Sequence, residues 1–115
     1  MQDKTALITN PAGMRLIAQM TLYNAGKWDR LRQFIAESYA APLLEAHPAE
    51  SRLDEWRGRW SQIGRLRVAQ VLALDKYHVV VLMESEQGSA FQAHDLTVEE
   101  DHPHKITAYH QYDIG

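Results

Sequence analysis

The stretch from residue 49 to residue 83, AESRLDEWRGRWSQIGRLRVAQVLALDKYHVVVLM, decides the fold. Its first part repeats apolar residues every three or four positions, as a helix with one buried face does. These residues are Leu53, Trp56, Trp60 and Ile63. After Gly64 the apolar residues recur at about every second position, which is typical of a half-buried strand. The change of period at Gly64 therefore predicts a helix followed by a sheet.

The second half of the chain predicts an antiparallel meander. Four strands are predicted, at residues 66–74, 77–83, 90–98 and 105–112. In the first of these, one face is expected to carry Leu66, Val68, Leu72 and Leu74, and the other Arg67, Ala69, Val71 and Ala73. Turns are predicted at Asp75-Lys76 and at residues 86–88 and 99–104. The second strand is apolar on both faces, so we expect one face of the sheet to take helices and the other a second subunit.

Upstream of the sheet the pattern is helical. Asn10 can accept hydrogen bonds from exposed backbone N–H groups, Pro11 suits the first helical position, and Gly26 suits a helix end. One face of this first helix is expected to bury Met14, Ile17, Ala18, Thr21 and Ala25, flanked by Leu16, Met20 and Tyr23. We expect this helix to be largely buried, because its apolar stripe is wide.

A second helix is predicted from about residue 28 to residue 35 or a little beyond, because Trp28, Leu31, Phe34 and Ile35 repeat at helical spacing. Residues 36–47 are predicted to form a loop or a short extended piece, since a residue before proline disfavours helical geometry. Pro48 opens the third helix. The prediction is a single α+β domain over residues 1–115, with three N-terminal helices packed on a curved, cone-shaped antiparallel sheet of at least four strands.

Composition narrows the classes of function. The chain has 45% hydrophobic and 23% charged residues, a formal net charge of −3 and no cysteine. These values predict a folded soluble domain with neither disulfides nor thiolate metal sites, and they disfavour nucleic acid as a partner. No apolar stretch is long enough to span a bilayer, and the N-terminus lacks the pattern of a secretory signal. We therefore expect a cytoplasmic protein without a membrane partner or a cofactor.

The segment YNAGKWDRLRQFI, residues 23–35, resembles the helix, glycine, helix opening of nuclear-transport-factor-2-like domains, the superfamily with the cystatin-like cone that includes SnoaL-like proteins. The resemblance continues in APLL at residues 41–44, in the Gly64 break and in PHKI at residues 103–106. More narrowly, the order of elements is similar to small domains of this superfamily that occur alone or beside β-lactamase-like serine hydrolases. The resemblance implies the cone fold described above.

The same resemblance leaves the function open. Domains of this superfamily include isomerases, dehydratases and polyketide cyclases of small molecules, and also non-catalytic binding or dimerising modules. Hydrolase chemistry does not carry over, because the chain contains neither a Gly-x-Ser-x-Gly nor a Ser-x-x-Lys motif.

A cone of this type can hold a pocket for a small apolar ligand between the third helix and the sheet. Trp56 and Trp60, one helical turn apart, are expected to line it, and Tyr77 and Tyr112 are further candidates for ligand contacts. The alternative, and the commoner role of aromatic residues at helical spacing, is that both indoles fill the core.

Acid–base chemistry would need a carboxylate or imidazole base and a donor for the developing oxyanion. The candidates of these types are His94, Asp95, His110 and Tyr77, with Tyr112 beside them. His94 and Asp95 are adjacent, so they point to opposite faces of a strand, and a meeting of His94 with His110 depends on the strand register. The alternative is that these are ordinary polar residues of a half-exposed sheet.

Two clusters of ionisable residues are predicted to have no specific binding or catalytic function. The His102-Pro103-His104 cluster beside Asp101 lacks the spacing of a helix-borne ligand pair, so we predict a solvated turn and no metal site. A local basic excess is attributed to solubility; it consists of Arg52, Arg57, Arg59, Arg65 and Arg67.

The leading hypothesis from the sequence is a non-catalytic accessory or binding module that forms a homodimer through the outer face of its sheet. One alternative is a small-molecule isomerase, dehydratase or cyclase with acid–base residues in the cone. Another is a detached accessory domain of a serine hydrolase.

Overall fold

The computed structural model describes residues 4–86 and 90–114. Helices occupy the first half of the chain and a four-stranded antiparallel sheet the second, so the predicted α+β class is confirmed. The helical half consists of a 3-10 helix at Lys4–Thr9 and the helices α1 (Pro11–Asn24), α2 (Trp28–Ser38), α3 (Ala41–Ala46) and α4 (Ala49–Ile63). The strands are β1 (Leu66–Asp75), β2 (His78–Ser85), β3 (Phe91–Val98) and β4 (Ile106–Ile114).

Helix α1 begins and ends as predicted, but it buries a different face. The Asn10 side chain accepts a 2.7 Å hydrogen bond from the backbone N–H of Gly13, and the helix ends at Asn24, two residues before Gly26. The buried residues are Ala12, Gly13, Leu16, Gln19, Met20 and Tyr23. Met14, which was predicted to be buried, is 56% exposed. The prediction of the face was wrong because it counted only apolar residues, whereas the buried side includes a glycine and a glutamine.

The prediction of a loop at residues 36–47 was wrong in part. Helix α2 continues to Ser38, and Ala41–Ala46 form the short helix α3. Pro42 does not prevent α3 because it occupies the first turn, where no N–H partner is required and its fixed φ suits the helix. The extended residue that precedes the helix is Ala40.

Helix α4 confirms the decisive pattern. Leu53 and Trp56 are buried, and Trp60 and Ile63 pack against the core. Gly64 ends the helix with a φ of 71° and a ψ of −151°, a conformation that residues with a Cβ rarely adopt. The carbonyl of Gly64 also accepts a 2.7 Å hydrogen bond from the buried hydroxyl of Tyr23. This hydrogen bond therefore fixes the turn between α4 and the sheet against α1.

The sheet has the strand order β1-β2-β3-β4, as expected for a meander. We call the face that packs on the helices the inner face and the opposite one the outer face. In β2, Val79, Val81 and Met83 are buried on the inner face, while Val80 and Leu82 lie half-buried on the outer face. The two-sided apolar character of this strand is confirmed. Of the predicted turn at residues 86–88, Gln87 and Gly88 lie outside the described residues.

The predicted alternation in β1 was wrong at Val71 but holds again at Ala73 and Leu74, which pair with Val80 and Val79. The pairing of β1 with β2 is interrupted twice, between Val68 and Gln70 and between Val71 and Ala73. Each irregularity shifts the alternation, because an extra residue reverses the side to which the following side chains point. As a result Val71 is buried on the inner face, while Leu72 is 49% exposed.

Asn24 joins the end of α1 to the start of β1. Its side-chain oxygen accepts a 2.8 Å hydrogen bond from the Leu66 N–H, and its amide nitrogen donates a 2.7 Å bond to the Leu66 carbonyl. We expect Asn24→Ala to lower the free energy of unfolding by about 2 kcal/mol, because both backbone groups of Leu66 lose their partner. Asn24→Asp keeps the acceptor and should lose about half as much. Urea unfolding measures both, and an Asn24→Ala variant as stable as the original chain would contradict the expectation.

Candidate functional site

Polar side chains line the inner face of β3 and β4, where a core would ordinarily be apolar. We call them the polar row; its members are Gln92, His94, Tyr109, Gln111 and Asp113. The strand register pairs Gln92 with Asp113 and His94 with Gln111, so these side chains share one face, and Tyr109 lies on the same face two residues before Gln111. His94 has 0% of its surface exposed and Gln92 has 7%. The polar row therefore lies between the sheet and the helices.

Hydrogen bonds connect four members of the polar row. Burial raises the pKa of the Tyr109 hydroxyl well above its usual range, so this group stays protonated and donates to His94 Nδ1 at 2.6 Å. The His94 proton then lies on Nε2, which donates to Gln92 Oε1 at 3.1 Å. Gln92 in turn donates from Nε2 to Asp113 Oδ1 at 2.9 Å. Both imidazole nitrogens of His94 are thus occupied by protein partners.

His94 is held in its neutral form. Burial lowers its pKa to about 3, and the positive charge of Arg59 acts in the same direction. A general base needs a free lone pair and a pKa near the operating pH. His94 has neither in this structure, since Tyr109 occupies its Nδ1 lone pair.

Trp56 fills the space beside His94. It is 3% exposed, and its ring centroid lies 5.1 Å from that of Tyr23, 6.0 Å from that of Tyr109 and 6.3 Å from that of His94. Aromatic rings at these separations are packed against one another. Trp56 therefore has the structural role that the sequence offered as the alternative to a ligand contact.

Of the other predicted ligand contacts, Trp60 joins Trp56 in one aromatic cluster through Trp28 and Tyr23, whereas Tyr77 and Tyr112 lie elsewhere. Trp60 packs edge-on against Trp28, with 6.1 Å between their centroids. Tyr77 lies in the turn between β1 and β2, where its ring is 5.9 Å from that of His104. Tyr112 pairs with Ala93, lies on the outer face and is 54% exposed. Trp56 and Trp60 are therefore parts of one packed cluster, and Tyr77 and Tyr112 do not join them.

The remaining acid–base candidates lie on the outer face. Asp95 and His110 are paired across β3 and β4, so His94 and His110 point to opposite sides of the sheet and do not meet. Asp95 Oδ1 instead lies 2.6 Å from Nε2 of His78, which the sequence did not single out. The pair was not foreseeable, because it depends on the register between β2 and β3. Both side chains are partly exposed, so this is an ordinary surface hydrogen bond.

A cleft opens between α4 and the ends of β3 and β4, next to the polar row. Its volume is about 490 Å³, and its lining includes Glu55, Gly58, Arg59 and Ile63 from α4 and Gln92 and Asp113 from the strands. Arg59 was assigned to a solvated helix face, but it is half-buried, with its guanidinium carbon 5.1 Å from the centroid of the Trp56 ring. The helical pattern could not distinguish Arg59 from its exposed neighbour Arg57 because both flank the apolar stripe.

Among residues 4–86 and 90–114, no three His, Cys, Asp or Glu side chains lie close enough together to hold a metal ion. In the cluster of residues 101–104, Asp101 and His102 are exposed, and His104 is half-buried. The ring of His104 is tied to the backbone by a 2.9 Å hydrogen bond between Nδ1 and the carbonyl of Glu99. Within the described helices, none is long and apolar enough to cross a membrane.

Four members of the polar row were not predicted from the sequence: Gln92, Tyr109, Gln111 and Asp113. Their signal was present as every-other polar positions in β3 and β4, but it was interpreted as the exposed side of the sheet. Comparison with known proteins finds no match: no family model, no curated protein and no solved structure is significantly similar to the chain. The resemblance to nuclear-transport-factor-2-like domains therefore stays a prediction.

Proposed function

We propose that the protein is a non-catalytic accessory module that forms a homodimer through the outer face of its sheet. The observation that carries this proposal is the apolar character of that face. Its central residues Val80, Leu82 and Phe91 lie outside the core cluster, and Leu72, Tyr112 and Ile114 are 49%, 54% and 47% exposed. An exposed apolar patch of this kind is a common feature of interaction surfaces.

A second copy of the chain suits this face better than a charged partner. The outer face carries the ion pair Arg67–Glu84 and the hydrogen-bonded pair His78–Asp95, so Glu84 and Asp95 each have a partner within the chain. In a symmetric dimer the same patch meets itself, and a balanced patch avoids like-charge repulsion. Four strands of eight to ten residues form a face of roughly 20 Å by 26 Å, which approaches the area of a small dimer interface.

The interior supports the non-catalytic part of the proposal. Trp56 packs against His94 between α4 and the sheet, and His94 has no free nitrogen with which to take a proton. Acid–base chemistry in the cone is therefore the weaker candidate. Packing of the outer face on a different domain, as in an accessory domain of a hydrolase, remains an outcome of the test below.

We expect sedimentation velocity at 10–500 μM to show a species of twice the 13.2 kDa chain mass. Tyr112→Lys and Leu72→Lys should each weaken the dimer at least tenfold, because a charge would be buried in the apolar interface. Met14→Lys is the matched control: Met14 is similarly exposed, at 56%, but lies on α1. A strict monomer at 500 μM, or equal weakening by all three variants, would refute self-association through this face.

A further inference from the structure

Arg59 has no acidic partner within the chain as described. The ion pairs found between residues 4–86 and 90–114 are Arg32–Glu50, His47–Glu55, Arg67–Glu84 and His78–Asp95, and none involves Arg59. The positive charge of Arg59 nevertheless acts on the interior. It lowers the pKa of His94, although burial of His94 lowers that pKa more. A half-buried cation that lines a cleft and forms no ion pair with a described carboxylate is suited to an anionic ligand.

The Trp56 ring gives the Arg59 guanidinium a support. The guanidinium carbon lies 5.1 Å from the ring centroid, within the range of a cation–π contact. Such a contact uses a face of the planar group and leaves the N–H groups at its edge as donors. Two parallel N–H groups match the two oxygens of a carboxylate, a pairing that a lysine ammonium does not reproduce.

The rest of the cleft selects among carboxylates. Glu55 and Asp113 place two acceptor groups around the single cation, so a ligand with two negative charges would be repelled. A ligand that also carries an ammonium group would be attracted to these acceptors. Ile63 provides an apolar surface, and the volume of about 490 Å³ lies within the range of small-ligand sites.

We propose that this cleft binds a small zwitterionic carboxylate of the amino-acid type, with Arg59 holding the carboxylate and Glu55 and Asp113 facing the ammonium. This ligand site is a second function, separate from the proposed dimer. It lies on the helix side of the sheet, whereas the dimer would use the outer face.

Three probes with one branched side chain separate the two charged groups. L-Leucine carries both groups, 4-methylpentanoate carries the carboxylate alone, and 3-methylbutylamine carries the amine alone. Proton–nitrogen correlation spectra report the side-chain N–H signals of Arg59 and Trp56 directly. We expect L-leucine at up to 10 mM to shift both signals in a saturable way, 4-methylpentanoate to bind at least threefold more weakly, and the amine to leave the Arg59 signal unchanged.

Substitutions at two residues, Arg59 and Gly58, test the site. Arg59→Gln should weaken binding of L-leucine at least tenfold, and Arg59→Lys should restore little of it, because the forked donor geometry is lost. Gly58→Leu should block the cleft: a Cβ at Gly58 meets no atom within 4 Å, so the larger side chain can be placed without disturbing the fold. Arg57→Gln is the matched control, since Arg57 lies on the same helix but lines a different surface, with Lys27 and Arg30.

The proposal is overturned if neither L-leucine nor 4-methylpentanoate shifts the Arg59 and Trp56 signals, or if Arg59→Gln binds as tightly as the original chain. Tighter binding of 4-methylpentanoate than of L-leucine would overturn the assignment of an ammonium group. Sedimentation of the same samples keeps this result separate from the dimer, because Gly58→Leu and Arg59→Gln leave the outer face intact.

Discussion

We expect Gly13→Ala to lower the free energy of unfolding by about 3 kcal/mol and the melting temperature by roughly 10 °C. A Cβ at Gly13 would lie 2.0 Å from the backbone oxygen of Leu7 and 2.7 Å from its Cα. Both contacts are with backbone, so no side-chain rotation relieves them. The 3-10 helix at Lys4–Thr9 would have to move away from α1, and the side chain of Leu7, now 0% exposed, would lose part of its burial.

Gly58→Ala is the matched control for this prediction. Gly58 also lies in a helix, but a Cβ there meets nothing within 4 Å. Alanine favours the helical conformation by about 0.5–1 kcal/mol over glycine, so this variant should be more stable than the original chain. Urea unfolding followed by circular dichroism measures both variants. A Gly13→Ala variant that is as stable as the original chain would show that the 3-10 helix does not pack on α1 as described.

The contact between Gly13 and Leu7 also shows where prediction from the sequence stops. The sequence indicated the start of α1 from Asn10 and Pro11, because capping chemistry acts over three or four neighbouring residues. It gave no sign of the preceding 3-10 helix, whose position depends on an approach of two backbones. From the sequence alone, a glycine within a helix indicates only a small loss of helix propensity. Its role in a close contact is recognised only when its neighbour in space is known.

The sheet shows the same division between local and non-local information. The change of period at Gly64, the four strands and the two-sided character of β2 followed from the spacing of apolar residues. The inner position of Val71 did not, because two irregularities in the pairing with β2 reverse the alternation. Pairing register is a property of two strands and cannot be obtained from the alternation of one.

The candidate sites were predicted less well than the fold. Residue types selected His94, Asp95, His110 and Tyr77, but the structure places His94 in the interior and the others on the outer face or in a turn. Arg59 was grouped with exposed arginines, although its guanidinium lies over Trp56. Chemistry-bearing residue types are found from a sequence, whereas their convergence depends on strand register and on the rotation of α4 against the sheet.

Acidification is expected to destabilise the protein through His94. Burial and the charge of Arg59 lower the pKa of His94 to about 3 in the folded state, against about 6.5 in an unfolded chain. Above pH 6.5 the imidazole is neutral in both states, so the full stability is present. Below pH 6.5 the unfolded chain binds a proton that the folded chain does not, and stability falls as the pH falls toward 3. This linkage should remove about 2 kcal/mol between pH 7.5 and pH 5.

His94→Gln separates this effect from the titration of carboxylates. The variant should be less stable than the original chain at pH 7.5, because the hydrogen bonds to Tyr109 and Gln92 are weakened, but its stability should change much less between pH 7.5 and pH 5. The two stability curves should therefore converge on acidification. His110→Gln is the control for replacing a histidine by glutamine, since His110 is exposed on the outer face, on the opposite side of β4 from Tyr109 and Gln111. Urea unfolding at half-unit pH steps measures all three chains. Parallel curves for the original chain and His94→Gln would mean that His94 binds a proton in the folded state as readily as in the unfolded state. The hydrogen bonds that link Tyr109, His94, Gln92 and Asp113 would then not keep the imidazole neutral.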